Sequence, residues 1–342
     1  MRPMKLAFTV ASAAAVCVGA AGAASAQGNT RLYGVLDVFA VSNKPSGTTE
    51  RTTAIDSGGM TTSYWGITGV EDIGNGLKAS FVLESYLRLD TGSAGRSDAD
   101  PLFTRSAWVG LSGAFGEVRV GRQINPVFSA TVMFDPTIGS TRFSPVLNQL
   151  WTVPFGRVIS GDTTRPNSIG YYSPTFNGLS GRIVYSLGEQ AGTDSINNTS
   201  GMLLYAAGPF AATLAAQKVK FGPGISAVNP TEKLYVAGVS YDLKVVKLFG
   251  QYDKKKATGV TIDSDTYSVG ASIPAGAGKI LTSFATTRNS TAGAMDYRRN
   301  SALVGYDYFL SKRTDVFVNY LYDKHSAASA GSVVGAGIKH TF

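Results

Sequence analysis

The segment Ser332-Val333-Val334-Gly335-Ala336-Gly337-Ile338-Lys339-His340-Thr341-Phe342 alternates strictly. Val334, Ala336, Ile338 and Phe342 fall on one side of an extended chain; Val333, Gly335, Gly337, Lys339 and Thr341 fall on the other. An apolar series backed by a face carrying charge, over about ten residues, is the pattern of a strand crossing a bilayer between lipid and water. Such a strand cannot leave an open edge in lipid, because its N–H and C=O groups would find no water to bond. It must pair on both sides, so the remaining segments have to be staves of one ring.

The first 26 residues read as an export signal and not as part of that ring. Arg2 and Lys5 are basic, Leu6 through Gly22 are small and apolar, and Ala24-Ser25-Ala26 is an A-x-A cleavage site. A transmembrane anchor is disfavoured because the stretch is short, alanine-rich and followed by no stop-transfer flank. Cys17, the one cysteine, lies inside it, so the mature chain from about Gln27 has no disulfide and no thiolate metal ligand. The mature remainder, 27–342, reads as a single domain with no linker and no apolar run of the ~20 residues that a spanning helix needs. Removing two of the 31 basic residues and none of the 23 acids leaves a net charge of +6. Spread thinly, that excess favours anions in a confined space but is no footprint for nucleic acid.

Alternation recurs along the chain with short and long connections in turn. Arg31 to Val41 puts Leu32, Leu36 and Val38 opposite Tyr33, Val35 and Asp37. Tyr64–Val70 follows a polar loop, and Asn75-Gly76 supplies the positive φ of a tight hairpin into Leu77–Leu89. Leu102–Ser112 turns at Ala114-Phe115-Gly116 into Glu117–Arg122. Later pairs turn at Pro174–Gly178, Gly208-Pro209-Phe210, around Lys244, at Pro274–Gly278 and at Ser311-Lys312-Arg313. Sixteen strands result, an all-β pattern without a helical period. A soluble sandwich or propeller could also alternate, but would not need Tyr33, Tyr86, Tyr172, Tyr252, Tyr308, Tyr322 and Phe342 near strand ends, where a membrane girdle puts aromatics. The expected fold is therefore a sixteen-stranded antiparallel transmembrane β-barrel.

One stretch breaks the rhythm. From about residue 123 to 166 the alternation fails, and Pro126, Pro136, Pro145 and Pro154 interrupt it. A loop so long needs a job. At the mouth of a tube, folding inward is the one place it can pack.

Catalysis and metal chemistry find no support. The mature chain holds only His325 and His340, and no pair of strands offers a His beside a Ser and an Asp at the loop end. No cofactor is expected.

Thr30–Asp37, Gly69–Ala79, Gly113–Arg122, Leu310–Thr314 and Gly337–Phe342 together resemble the Gram-negative porins of the β-proteobacterial type. The resemblance spans the mature chain. It implies an outer-membrane homotrimer whose third long loop folds into the lumen, setting acidic groups against a basic wall. It also implies that the terminal aromatic, here Phe342, is read by the barrel-assembly machinery. On it, Arg122, Arg105 and Arg165 match basic wall positions and Asp135 matches the acid of the loop. Two departures are evident: Tyr64 stands where relatives often carry another basic residue, and the loop has only Asp135 and Asp162. Arg105 also shares the parity of the outward Ala107, Val109 and Leu111, so it reaches the lumen only if a bulge intervenes.

The expected function is a passive channel for small hydrophilic solutes and ions, mildly anion-preferring, in outer-membrane lipid. A solute-specific channel, for organic acids for instance, and a plugged barrel serving as adhesin or anchor are the alternatives.

Overall fold

The computed structural model describes residues 29–151, 163–188, 197–220, 231–258, 262–291 and 297–342; the signal segment and Asp162 lie outside these. The strands are β1 (Arg31–Lys44), β2 (Thr52–Ser57), β3 (Tyr64–Gly74), β4 (Leu77–Arg88), β5 (Ser93–Ala94), β6 (Ser106–Gly113) and β7 (Gly116–Ile124). Two short helices follow, α1 (Pro126–Met133) and α2 (Pro145–Leu150). Then come β8 (Thr164–Tyr172), β9 (Leu179–Ser186), β10 (Asn198–Ala207), β11 (Phe210–Lys220), β12 (Thr231–Asp242) and β13 (Lys247–Thr258). The last are β14 (Ile262–Ala275), β15 (Gly278–Thr291), β16 (Tyr297–Phe309), β17 (Thr314–His325) and β18 (Gly331–Thr341).

Each long strand pairs antiparallel with the next, and β18 returns to β1 from Val35↔Thr341 to Lys44↔Ser332. The ring is closed, and sixteen long strands form its wall, as the alternation requires. Outward residues are apolar and bare, such as Val109, Leu214 and Val269 at 60 % exposure or more, whereas their inward neighbours are covered. Asn75 takes a φ of 53° in its hairpin, as its turn chemistry predicts.

Two features depart from the sequence reading. The polar loop after β1 contains β2, which pairs with the upper half of β1 while β3 pairs with the lower half. β2 and β3 are one stave interrupted at Gly58–Ser63, so the wall still numbers sixteen. Asp37 explains the interruption: its carboxylate accepts from the N–H groups of Gly59, Met60 and Thr61 at 2.8–2.9 Å. The chain bulges inward to bring those donors to the acid.

The second departure is helical. Asn125 caps α1 by accepting from the Val127 N–H at 3.0 Å, and Ser144 caps α2 by accepting from the Leu147 N–H at 3.2 Å. Pro126 and Pro145 each occupy the first turn, where a missing N–H costs nothing. Asn-Pro and Ser-Pro were start signals for helices too short to show a period.

Both helices lie inside the barrel. α1 contacts β9–β12 and α2 contacts β14–β16. The wall makes room for them with glycine: a Cβ at Gly238 would sit 2.7 Å from the Phe134 ring, and one at Gly335 would sit 2.6 Å from Phe143. Phe143, Phe39 and Phe317 cluster at 5.7–6.4 Å between ring centres, which makes an apolar core within the tube. Phe143 is fully buried, so truncating it would cost about 3–5 kcal/mol. Polar anchors finish the attachment. Lys255 donates to the Leu150 carbonyl at 3.0 Å and Arg299 to the Asn148 carbonyl at 2.8 Å, placing cations at the C-terminal end of α2, where the helix dipole favours them. Gln149 donates to the Ala285 carbonyl and to Ser301. The inserted segment thus occupies the β9–β18 side, reaches β2 through Arg142 and Asp56, and leaves the β3–β7 side open.

Candidate functional site: the narrowed lumen

On the open side, alternation sends Glu84, Tyr86 and Arg88 of β4 inward. Tyr64 of β3 and Tyr33 of β1 stand beside them, and the Tyr33 hydroxyl donates to Glu84 Oε1 at 2.7 Å. Arg105 joins this group: it ion-pairs with Glu84, and its guanidinium lies 3.8 Å from the centre of the Tyr64 ring. Ala107 and Val109 do face outward. Arg105 reaches the lumen without a bulge, because β6 begins only at Ser106 and Arg105 is outside the ladder.

A cavity of about 430 Å³ separates this wall from the inserted segment. Arg88, Arg96, Arg105 and Tyr86 line one side of it, and Phe128, Val132, Ile138, Gly139 and Thr141 line the other. The arginines are held in ion pairs: Arg88 with Asp98, Arg96 with Asp100 at 2.8 Å, and Arg142, on the inserted segment itself, with Asp56 of β2. The aperture is therefore lined by guanidinium donors paired with acids, one of which, Asp56, itself lines the cavity, and is not a bare cationic ring.

The remaining candidates fare differently. Arg122 sits at a register break between Gly121 and Gln123, half-buried, with Nε donating to the Thr104 carbonyl. Arg165 is 2 % exposed and donates to Gln217 Oε1 at 2.8 Å. Asn125, the cap of α1, donates to that same oxygen at 2.8 Å, so Arg165 secures the root of the inserted segment rather than lining the passage. Asp135 is fully buried and does not face the arginines. Its carboxylate accepts from the Thr137 N–H at 3.0 Å and closes the turn after α1. Burial pushes its pKa up to about 6, against the opposing pull of its Thr137 and Ser144 hydrogen bonds.

Sequence reasoning missed Arg88, Arg96 and Arg142. Arg88 was legible, since it shares the inward parity of Glu84 and Tyr86; the other two lie in irregular segments. Nearer the short-turn end, Arg119 stacks 4.1 Å from both Trp108 and Tyr172 and pairs with Glu117 at 2.7 Å. Arg182, 6.0 Å from the Tyr172 ring, has no carboxylate partner among the described residues.

The structure does bring a Ser, an Asp and a His together, contrary to the sequence expectation. Ser301 donates to Asp323 at 2.7 Å, and His325 Nε2 lies 3.1 Å from the same carboxylate. The acid sits between the other two and also receives Arg299. Ser301 is handed to the acid and not to the histidine, so the cluster lacks the order that activates a nucleophile. His340 faces outward as expected, its Nδ1 2.9 Å from the Thr314 hydroxyl.

A closed, lipid-faced ring with a polar, narrowed interior defines a transmembrane channel. Residues 11–328 match the family model described as Gram-negative porin, and the chain belongs to that family. It is 32% identical over 331 residues to outer membrane porin protein 32 of Delftia acidovorans, covering 94% of this chain and 91% of the relative. It is 28% identical to an outer membrane porin protein of Bordetella pertussis, covering 96% and 98%. Among solved structures, an anion-selective porin from Comamonas acidovorans superposes with a TM-score of 0.78 at 26% identity, covering 92% of this chain and all of that one. The protein is a passive diffusion channel of the bacterial outer membrane and not an enzyme.

Proposed function

We propose that this channel prefers anions mildly, and that the preference is set where Arg88, Arg96 and Arg105 face the inserted segment. One observation carries the reading. Asp135 is the only acid in the described part of that segment between β7 and β8, and it is buried, so among the described residues the segment presents no exposed negative charge to the arginines. Guanidinium N–H donors on one wall, opposite a segment whose described charged side chains are Arg142 and the buried Asp135, attract anions within a Debye length of about 10 Å at 0.1 M salt. The ion pairs keep the effect modest. Support also comes from the anion-selective relative of known structure.

The mature chain from about Gln27 would act as a homotrimer. Native mass measurement in mild detergent checks that assembly. Liposome swelling checks the selectivity: a small monocarboxylate should enter faster than a neutral polyol of similar mass. Equal rates at low ionic strength would reject the preference, and saturable uptake of one organic acid would favour the solute-specific alternative.

A further inference from the structure

Helix α1 is apolar on two faces, and the wall accounts for only one of them. Val127 and Ala130 are fully buried in a cluster with Val146, Leu150 and Leu234. Phe128 and Val132, four residues apart and so on one helix face, stay half-buried and line the cavity of about 430 Å³ beside the arginines. Trp151 extends that face. Its ring lies edge-on to Phe128 at 5.2 Å between centres, and its Nε1 donates to the buried Thr131 hydroxyl at 3.3 Å, which leaves the rest of the ring apolar.

Ile138 completes the face. It is 60 % exposed, and its φ of 53° is a left-handed conformation that a β-branched residue adopts only under constraint. Asn or Gly would hold the turn with less strain. The constraint comes from Asp135, whose carbonyl accepts from the Ile138 N–H at 3.0 Å while its carboxylate holds the Thr137 N–H. A bare isoleucine kept in a strained turn at the aperture is a feature that folding does not require.

Across the cavity, donors remain for a ligand. Arg105 pairs with Glu84 through Nη1, and a guanidinium has five N–H donors. Arg88 pairs with Asp98, whose side chain is 91 % exposed, and an ion pair so open to water is weak enough for a ligand to displace. Asp56 is the one acid among the described residues lining the cavity, and Arg142 already answers its charge. Guanidinium groups on one wall and hydrocarbon on the other make the cavity amphipathic. Its volume falls within the ~300–1,000 Å³ of small-molecule sites.

We propose that this cavity is a binding site for monocarboxylates with a compact hydrocarbon body, an aromatic acid above all. The carboxylate meets Arg88 and Arg105, and the body lies on Phe128, Val132 and Ile138. The site rests on the anion preference proposed above and adds the shape of the preferred anion. Chloride and acetate gain little beyond the guanidinium contacts, whereas an acid carrying a ring gains the apolar wall as well. Binding stays weak enough for release, since conduction requires leaving as well as entry.

The full mature protein would be inserted into a planar bilayer in KCl and its current titrated with benzoate, acetate or benzyl alcohol. Benzoate should halve the current at about one-tenth of the acetate concentration, and benzyl alcohol should leave it unchanged over the same range. Ile138→Asn, which suits the left-handed turn, should narrow that tenfold difference to about threefold. Val132→Thr keeps the side-chain shape and should narrow it likewise. Arg105→Gln should weaken the action of both acids together. Equal potency of benzoate and acetate on wild type, or a difference that both Ile138→Asn and Val132→Thr leave intact, would overturn the proposal. So would benzyl alcohol acting as strongly as benzoate, which would assign the effect to the ring alone. A zero-current potential on the potassium side in a KCl gradient would remove the anion preference and the site with it. Equal potency of the two acids, with that potential on the chloride side, would remove the site alone.

Discussion

The guanidinium of Arg105 lies flat against the Tyr64 ring, 3.8 Å from its centre, while Glu84 holds it from the side. Tyr64 stands where the family resemblance leads one to expect a further cation. The ring substitutes for a charge with a platform: it fixes the direction of Arg105 and adds an attraction of about 1–2 kcal/mol where water is partly excluded. Tyr64→Leu should leave the barrel intact yet broaden the distribution of single-channel conductances, because Arg105 loses its fixed orientation. A distribution as narrow as wild type would show that Glu84 alone positions the arginine.

Docking of the inserted segment depends on bare wall positions. At Gly238 an added side chain meets the Phe134 ring at 2.7 Å, and overpacking of this kind costs about 1–3 kcal/mol. Gly238→Val should therefore displace the segment while the sheet persists. Single-channel records should show altered conductance and frequent partial closures, with unchanged resistance of the folded band to detergent at room temperature.

Asp135 makes that docking sensitive to pH. Its folded pKa is raised to about 6, from an unfolded value near 3.8, so the folded segment binds the proton more tightly than an undocked one. The sign follows: the contribution is full below about pH 4 and is lost as pH rises through about 6. Closures of the wild-type channel should be rarer at pH 4.5 than at pH 7. Asp135→Asn keeps the side chain neutral and should flatten the difference; an equal pH response in both proteins would remove Asp135 from the account.

Phe342 closes the ring as well as ending the strand. Its N–H donates to the Gly34 carbonyl at 3.1 Å, its carbonyl accepts from the Gly34 N–H at 3.2 Å, and its ring covers Gly34. Deleting Phe342 should lower the folded fraction in detergent refolding more than Phe342→Ala, which keeps both main-chain bonds. In cells both changes should reduce outer-membrane yield alike if the assembly machinery reads the ring. Normal yield of the alanine variant would confine Phe342 to ring closure.

The wall was legible because a period of two over sixteen segments leaves few alternatives, and Leu32, Ile183, Val318 and Ile338 all face lipid as their parity demands. The inserted helices were not legible, since six to eight residues give no period, although Asn125-Pro126 and Ser144-Pro145 marked their starts. Site residues were harder. The family resemblance led us to expect Arg165 and Asp135 at the passage, yet the first is drawn under α1 by Gln217 and the second is enclosed by its own turn. Burial of an irregular segment depends on which wall it leans against, and that is a long-range matter. Arg96 belongs to the same class: its place at the aperture follows from its ion pair with Asp100 and its position 5.1 Å over the Tyr86 ring.

The central claim is that arginines facing an inserted segment with no exposed acid among its described residues set the sign of selectivity. It is tested most directly by the zero-current potential across a planar bilayer in a tenfold KCl gradient. Wild type should settle toward the chloride equilibrium potential, and a channel with Arg88→Gln, Arg96→Gln and Arg105→Gln should move toward zero or cross it. A wild-type potential on the potassium side, or one that the three substitutions leave in place, would contradict the account.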